Sequence, residues 1–259
     1  MSERTQDPPR PPQEQEPGGG PPEPRHVLVR TAVLAGLTRL VPVPFLDDFL
    51  LVRARRHQVH ALLDLHGRGC AKGELAALSS DPGSCLCGLV GFVLLLPLKL
   101  LVAVLKKLFQ TVFFVLAIRA AALTVASTFL LGRTVHQELA GGGFADGTPP
   151  PERVREAHQV REAFEATFKG SDWRLLVHAI KSAWSGAGGL LRGGGEVARH
   201  GFEDDDDAAV ELTQEEEARV DALAQRVEAA LENEQVRGYL EDFDRRYRQT
   251  LAEVRARPR

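Results

Sequence analysis

Cysteine is scarce in this chain. Cys70, Cys85 and Cys87 are the only three among 259 residues, too few and too unevenly spaced for a disulfide framework. A charge excess of either sign is also missing. The net charge is −3, and no arginine or lysine stripe is interleaved with aromatics, which excludes nucleic acid as a partner. Two tryptophans and two tyrosines, with few β-branched clusters, leave little from which to build a sheet. The first residues lack the basic and apolar regions of a secretory signal, so the expected setting is the cytosol or a membrane facing it.

Catalytic motifs are missing as well. The chain has no Gly-x-Ser-x-Gly elbow, no Gly-x-Gly-x-x-Gly fingerprint and no phosphate-binding Gly-x-x-x-x-Gly-Lys-Ser/Thr loop. His136-Gln-Glu138 lacks the second histidine of a zinc-protease helix. Asp47 and Asp48 are adjacent, so on a helix they point about 100° apart and read as an acidic first turn rather than a converging pair. His66, Cys70, Cys85 and Cys87 are ligand types that suit zinc or copper(I). Without paired Cys-x-x-Cys spacing no metal is assigned to them. A non-enzymatic protein without a cofactor is the expectation.

What is present is helical periodicity, dominated by Ala, Leu, Arg and Glu, and an all-α fold follows. Residues 1–25 are rich in Pro, Gly and Glu and are expected to be a disordered tail. A short apolar helix from His26 should stop at Val41-Pro-Val-Pro44, because each proline disfavours helix in its predecessor. A second helix from Phe45 should end at Gly67. On it Phe45, Phe49, Val52, Val59 and Leu63 share one face, and Arg53, Arg56, His57 and His60 form a basic edge suited to anionic lipid head groups.

From 86 to 131 the chain is almost continuously apolar, ending at Gly132-Arg133. A glycine- and proline-rich stretch, 141–151, is the expected boundary between a hydrophobic region, 26–140, and a soluble helical region, 152–259. In the latter, Val160, Phe164 and Phe168 form one stripe. Trp173, Val177, Ile180 and Trp184 form the next, closing near the glycines at 193–195. An acidic run, 203–207, reads as a solvated linker. Thr213-Gln-Glu-Glu216 has the form of a capping box. Beyond it, Val220, Leu223, Val227 and Leu231, then Leu240, Phe243, Tyr247, Leu251 and Val254, recur at helical spacing, with Gly238 as the expected break.

Residues 86–105 have the length of a bilayer core. Fourteen of them are Leu, Val or Phe, worth roughly −4 to −8 kcal/mol on an insertion scale against about +3 for a central lysine. Lys99 is off-centre and can snorkel. The second half, 108–131, places Arg119 at its midpoint, so Lys99 and Arg119 are the expected intramembrane polar residues. With both tails polar, the expectation is a hairpin bending at 106–111 or a re-entrant segment. Arg119 would then face a neighbouring helix.

Val41-Pro-Val-Pro-Phe-Leu-Asp-Asp48, entering a basic helix that closes at Leu65-His-Gly67, resembles the hydrophobic helical domains of unknown function that accompany some bacterial small GTPases. The resemblance covers 27–67 and implies bacterial membrane association without chemistry. The expected protein is therefore membrane-associated, with lipid as one partner and its C-terminal helices displayed towards the cytoplasm for a protein partner or self-association. The alternative is a soluble all-helical adaptor or dimerisation protein with a buried apolar central helix.

Overall fold

The computed structural model describes residues 23–41, 46–70, 73–79, 110–202 and 210–257. Among these the protein is all-helical. The apolar sequence 86–105 with Lys99, Cys85 and Cys87, the acidic run 203–207 and all but the end of the N-terminal tail lie outside the described residues.

Helix α1, Pro24–Leu37, has an exposed first turn at Arg25 and is buried from Leu28 to Leu37 apart from Arg30, which pairs with Glu217 and Asp221; Val29, Ala32, Val33 and Ala35 are fully buried. A helix covered on nearly all sides over ten residues belongs at the centre of a bundle. Proline in its first turn costs no hydrogen bond, because those N–H groups have no intrahelical acceptor. A 3₁₀ turn, Thr38–Leu40, closes it. Helix α2, Leu46–Leu65, opens on Asp47 and Asp48. It ends at Gly67, whose positive φ of 61° lets the next amide, on Arg68, return to the Leu63 carbonyl at 2.9 Å. A short α3, Ala76–Ser79, follows.

Helix α4, Gln110–Ala140, runs 31 residues without a break. It packs most extensively on α1 and also on α2. Of the expected bend at 106–111, Gln110 and Thr111 are helical and 106–109 lie outside the described residues. Gly132, where the apolar run ends, lies inside the helix as a packing site. A Cβ at Gly132 would lie 2.5 Å from Gln58 Nε2, and one at Gly36 of α1 would lie 2.3 Å from Val125 Cγ2. The missing methyl groups let the three helices approach closely.

The remaining helices wrap this centre. They are α5, Pro150–Lys169; α6, Arg174–Trp184; α7, Gly188–Arg192; α8, Gly194–Gly201; α9, Gln214–Leu231; and α10, Glu234–Ala256. Helix α10 packs along α5, α9 lies against both α6 and α1, and α6 also reaches α4. Val220, Leu223, Val227 and Trp184 join the same hydrophobic core as Val29 and Ala122. The stretch 141–151 is thus a tight turn between packed helices rather than a gap between independent cores. Within it the Gly143 amide donates to the Glu138 carbonyl at 2.8 Å. Phe144 is buried, and its amide donates to Glu156 Oε2 at 3.0 Å.

Local signals act where the sequence places them. Thr213 Oγ1 accepts from the Glu216 amide at 3.3 Å, and the Glu216 carboxylate accepts from the Thr213 amide at 2.8 Å. That is a complete capping box. The break between α9 and α10 falls at Asn233, whose side chain accepts from the Gln235 amide. Gly238 lies inside α10. The helix that begins after Trp173 already ends at Trp184, and Gly193 instead closes α7 and opens α8. A Cβ at Gly195 would sit 2.7 Å from the Leu40 carbonyl oxygen. The glycines at 193–195 let the start of α8 press against the 3₁₀ turn.

Candidate functional site

The expected basic edge of α2 is divided by its packing. Arg53 is 5% exposed, and its Nη1 donates to the Phe202 carbonyl at 3.0 Å, with the guanidinium 5.7 Å from the Phe49 ring centroid. Phe202 is the C-cap of α8, so Arg53 supplies a cation and a donor where that helix has surplus carbonyls. This geometry keeps Arg53 from lipid head groups. Arg56 is exposed, and His57 and His60 are half-buried, with the His57 ring 6.5 Å from that of Phe202. Spacings of three and four put all four residues on one side. Whether that side meets water or another helix is decided by α8, which is remote in sequence.

Asp47 and Asp48 converge after all, on a guanidinium. Arg39 Nη1 donates to Asp47 Oδ2 at 3.0 Å and to Asp48 Oδ1 at 2.7 Å, while its Nε lies 3.4 Å from Thr124 Oγ1 of α4. The long arginine reaches both carboxylates from the 3₁₀ turn. This node ties the first turn of α2 to α4.

Arg119 is exposed on α4 instead of facing a neighbouring helix. One turn before it, Leu116 is 54% exposed. From Ala121 onward the helix is covered. Ala121, Ala122, Val125, Ala126 and Leu130 have no exposure. Of the residues expected to share one face of α2, Val59 and Leu63 are buried, Val52 is half-buried and Phe49 is 56% exposed. The helix also buries Leu50, Leu51, Ala54, Gln58 and Leu62.

A polar site that the sequence motifs do not reveal lies at the other end of α2. His66 Nε2 is 3.0 Å from His136 Nδ1 of α4. His136 also lines an open groove of about 620 Å³ with Arg25, Arg133, Arg237, Glu23 and Glu241. Burial, then His66, then Arg133 push the basicity of His136 below that of an ordinary imidazole. The two histidines are 70 residues apart, so no local spacing announces the pair. Cys70 does not join it, because its thiol donates to Glu74 Oε2 at 3.0 Å. Among the described residues no group of three His, Cys, Asp or Glu side chains is placed to hold a metal ion.

Comparison with known proteins finds no matching family, no matching characterised protein and no matching solved structure. The most distinctive surface among the described residues is the start of α4. There an exposed apolar turn, preceded in sequence by Val112-Phe-Phe-Val115, passes into a buried helix. One described helix, Leu116–Ala140, is long and apolar enough to cross a membrane, with 56% of its most apolar window buried.

Proposed function

We propose that this is a non-enzymatic, membrane-associated helical protein, held to a bilayer through the apolar sequence 86–109, with its helical body on the cytoplasmic side. The observation that carries this reading is the change of character along α4. Leu116 is exposed while Ala121 and the apolar residues after it are covered, and the sequence before Gln110 is more apolar still. A helix serving only as a core would have no reason to extend apolar surface beyond the core. The return leg of a hairpin would have to immerse 108–131, yet much of that stretch is occupied by contacts with α1. A re-entrant or in-plane segment confined to 86–109 is therefore the arrangement proposed. The resemblance of 27–67 to hydrophobic domains beside bacterial GTPases points the same way.

The burial of Ala121 to Leu139 supports a second reading, a soluble all-helical adaptor with an apolar central helix. Fractionation separates the two. The full chain should stay with membranes through a carbonate wash and be released by detergent, and deletion of 86–105 should move it to the supernatant. A full chain that is soluble without detergent would establish the adaptor instead.

A further inference from the structure

We propose that the end of the helical body carrying Phe49 and Leu116 rests against the bilayer, placing these two side chains among the lipid head groups and upper acyl chains. The proposal deepens the membrane reading above and depends on it.

Three large hydrophobic residues stand exposed among the described residues: Phe49 at 56%, Leu116 at 54% and Leu175 at 37%. Two of them share one end of the bundle. The first turn of α2 meets α4 through Arg39, which bonds Asp47, Asp48 and Thr124. The last residues of α2 meet α4 through His66 and His136. The two helices therefore run in the same direction, and their starts lie at the same end. Leu116 is eight residues before Thr124, about 12 Å further out along the axis. Leu175 belongs elsewhere. It shares a groove with Ala229, Asn233 and Val236 at the α9–α10 junction, and Leu231 of that junction lies with Phe129, Arg133 and His136 towards the other end of α4. Helix α6 consequently begins away from that end and carries Leu175 with it.

The course of the chain points to lipid as the occupant. Helix α4 continues outward from Leu116 to Gln110, a further 9 Å or so, and the residues preceding Gln110 in sequence are apolar as far as 86. The body is thus joined to its most lipophilic sequence at this end. Charge at the rim suits a head-group layer. Arg119 is exposed beside Leu116, and Asp47 and Asp48 are both paired with Arg39. An aromatic with an arginine over its ring, as Phe49 has in Arg53, tolerates a half-polar setting.

The test uses the full chain with Cys70, Cys85 and Cys87 changed to serine. Single cysteines at 49, 116 or 175 carry an environment-sensitive fluorophore, and the protein is reconstituted into phosphatidylcholine–phosphatidylglycerol vesicles. The labels at 49 and 116 should be quenched by spin-labelled lipid and protected from aqueous iodide, and the label at 175 should show the reverse. The double variant Phe49→Glu/Leu116→Glu should lower vesicle partitioning about tenfold or more, as two inserted apolar side chains would. If the protein floats with vesicles while 49 and 116 remain open to iodide, the membrane reading survives and the resting end is wrong. Protection from both quenchers would mean that protein, its own chain or a second copy, covers the rim, and would overturn the proposal. Failure to float with vesicles would overturn both.

Discussion

His66 Nε2 and His136 Nδ1 lie 3.0 Å apart, one imidazole donating to the other and joining the end of α2 to the last third of α4. The bond requires at least one neutral ring. The surroundings enforce this, because burial, His66 and Arg133 all lower the affinity of His136 for a second proton. Arg25 and Arg237 face it across the groove with Glu23 and Glu241, and Asp244 holds Arg133. An unfolded chain offers an ordinary imidazole with a pKa of about 6.5. The unfolded state therefore binds more protons than the folded one between that value and the lowered folded value. The contribution of His136 to stability is complete above about pH 6.5 and is lost as pH falls towards the folded value. Urea unfolding between pH 7.5 and 5 should show declining stability. His136→Gln should decline less, and equal slopes would remove the pair as the cause.

Arg133 and Asp244 join α4 to α10 by a two-pronged contact, Nε to Oδ1 at 3.0 Å and Nη2 to Oδ2 at 2.7 Å. The aspartate side chain is 9% exposed and the arginine 31%, so part of the charge still sees solvent. Asp244→Ala is expected to destabilise by about 2–3 kcal/mol, since it leaves a partly buried guanidinium without its acceptor. Arg133→Met, which removes the cation but keeps the stem's packing, should not reproduce the whole loss in a double-mutant cycle. Additive single effects would show that the two residues act separately.

Glycines in this protein divide by what surrounds them. A Cβ at Gly36 would meet Val125 Cγ2 at 2.3 Å, whereas one at Gly238 would meet nothing within 4 Å. Gly36→Ala should cost about 1–3 kcal/mol through overpacking at the α1–α4 crossing. Gly238→Ala, inside α10, should gain roughly 0.5–1 kcal/mol from helix propensity. Thermal melts by circular dichroism should move in opposite directions. A neutral Gly36→Ala would mean that the crossing can relax.

Residues 152–259 carry their own caps and stripes, and the sequence alone suggests that they fold unaided. In the structure α9 lies on α1, and α6 lies on α4. The isolated fragment would therefore expose Val220, Val227, Ile180 and Trp184, all buried in the whole protein. It is expected to be helical but to melt without a sharp transition and to bind a hydrophobic dye. A cooperative melt with no dye binding would show that the fragment forms a core of its own.

The features legible in the sequence are those whose causes are local. The all-helical fold follows from periodicity and composition, and the Thr213–Glu216 box needs four consecutive residues. The close of α2 at Gly67 needs one residue that tolerates positive φ. What tertiary structure decided depends on partners far along the chain. Gly132 reads only as the end of an apolar run until Gln58 and Leu28 are seen against it. Arg53 reads as a solvent or lipid contact until the Phe202 carbonyl, 149 residues away, is found to accept from it. Asp47 and Asp48 diverge on a bare helix, yet one guanidinium from outside reaches both. The apolar run of α4 shows the same division. Its hydrophobicity is plain in the sequence, but lipid and protein satisfy the same side chains, so the packing of α1 and α6 alone determines which part is core and which end remains uncovered.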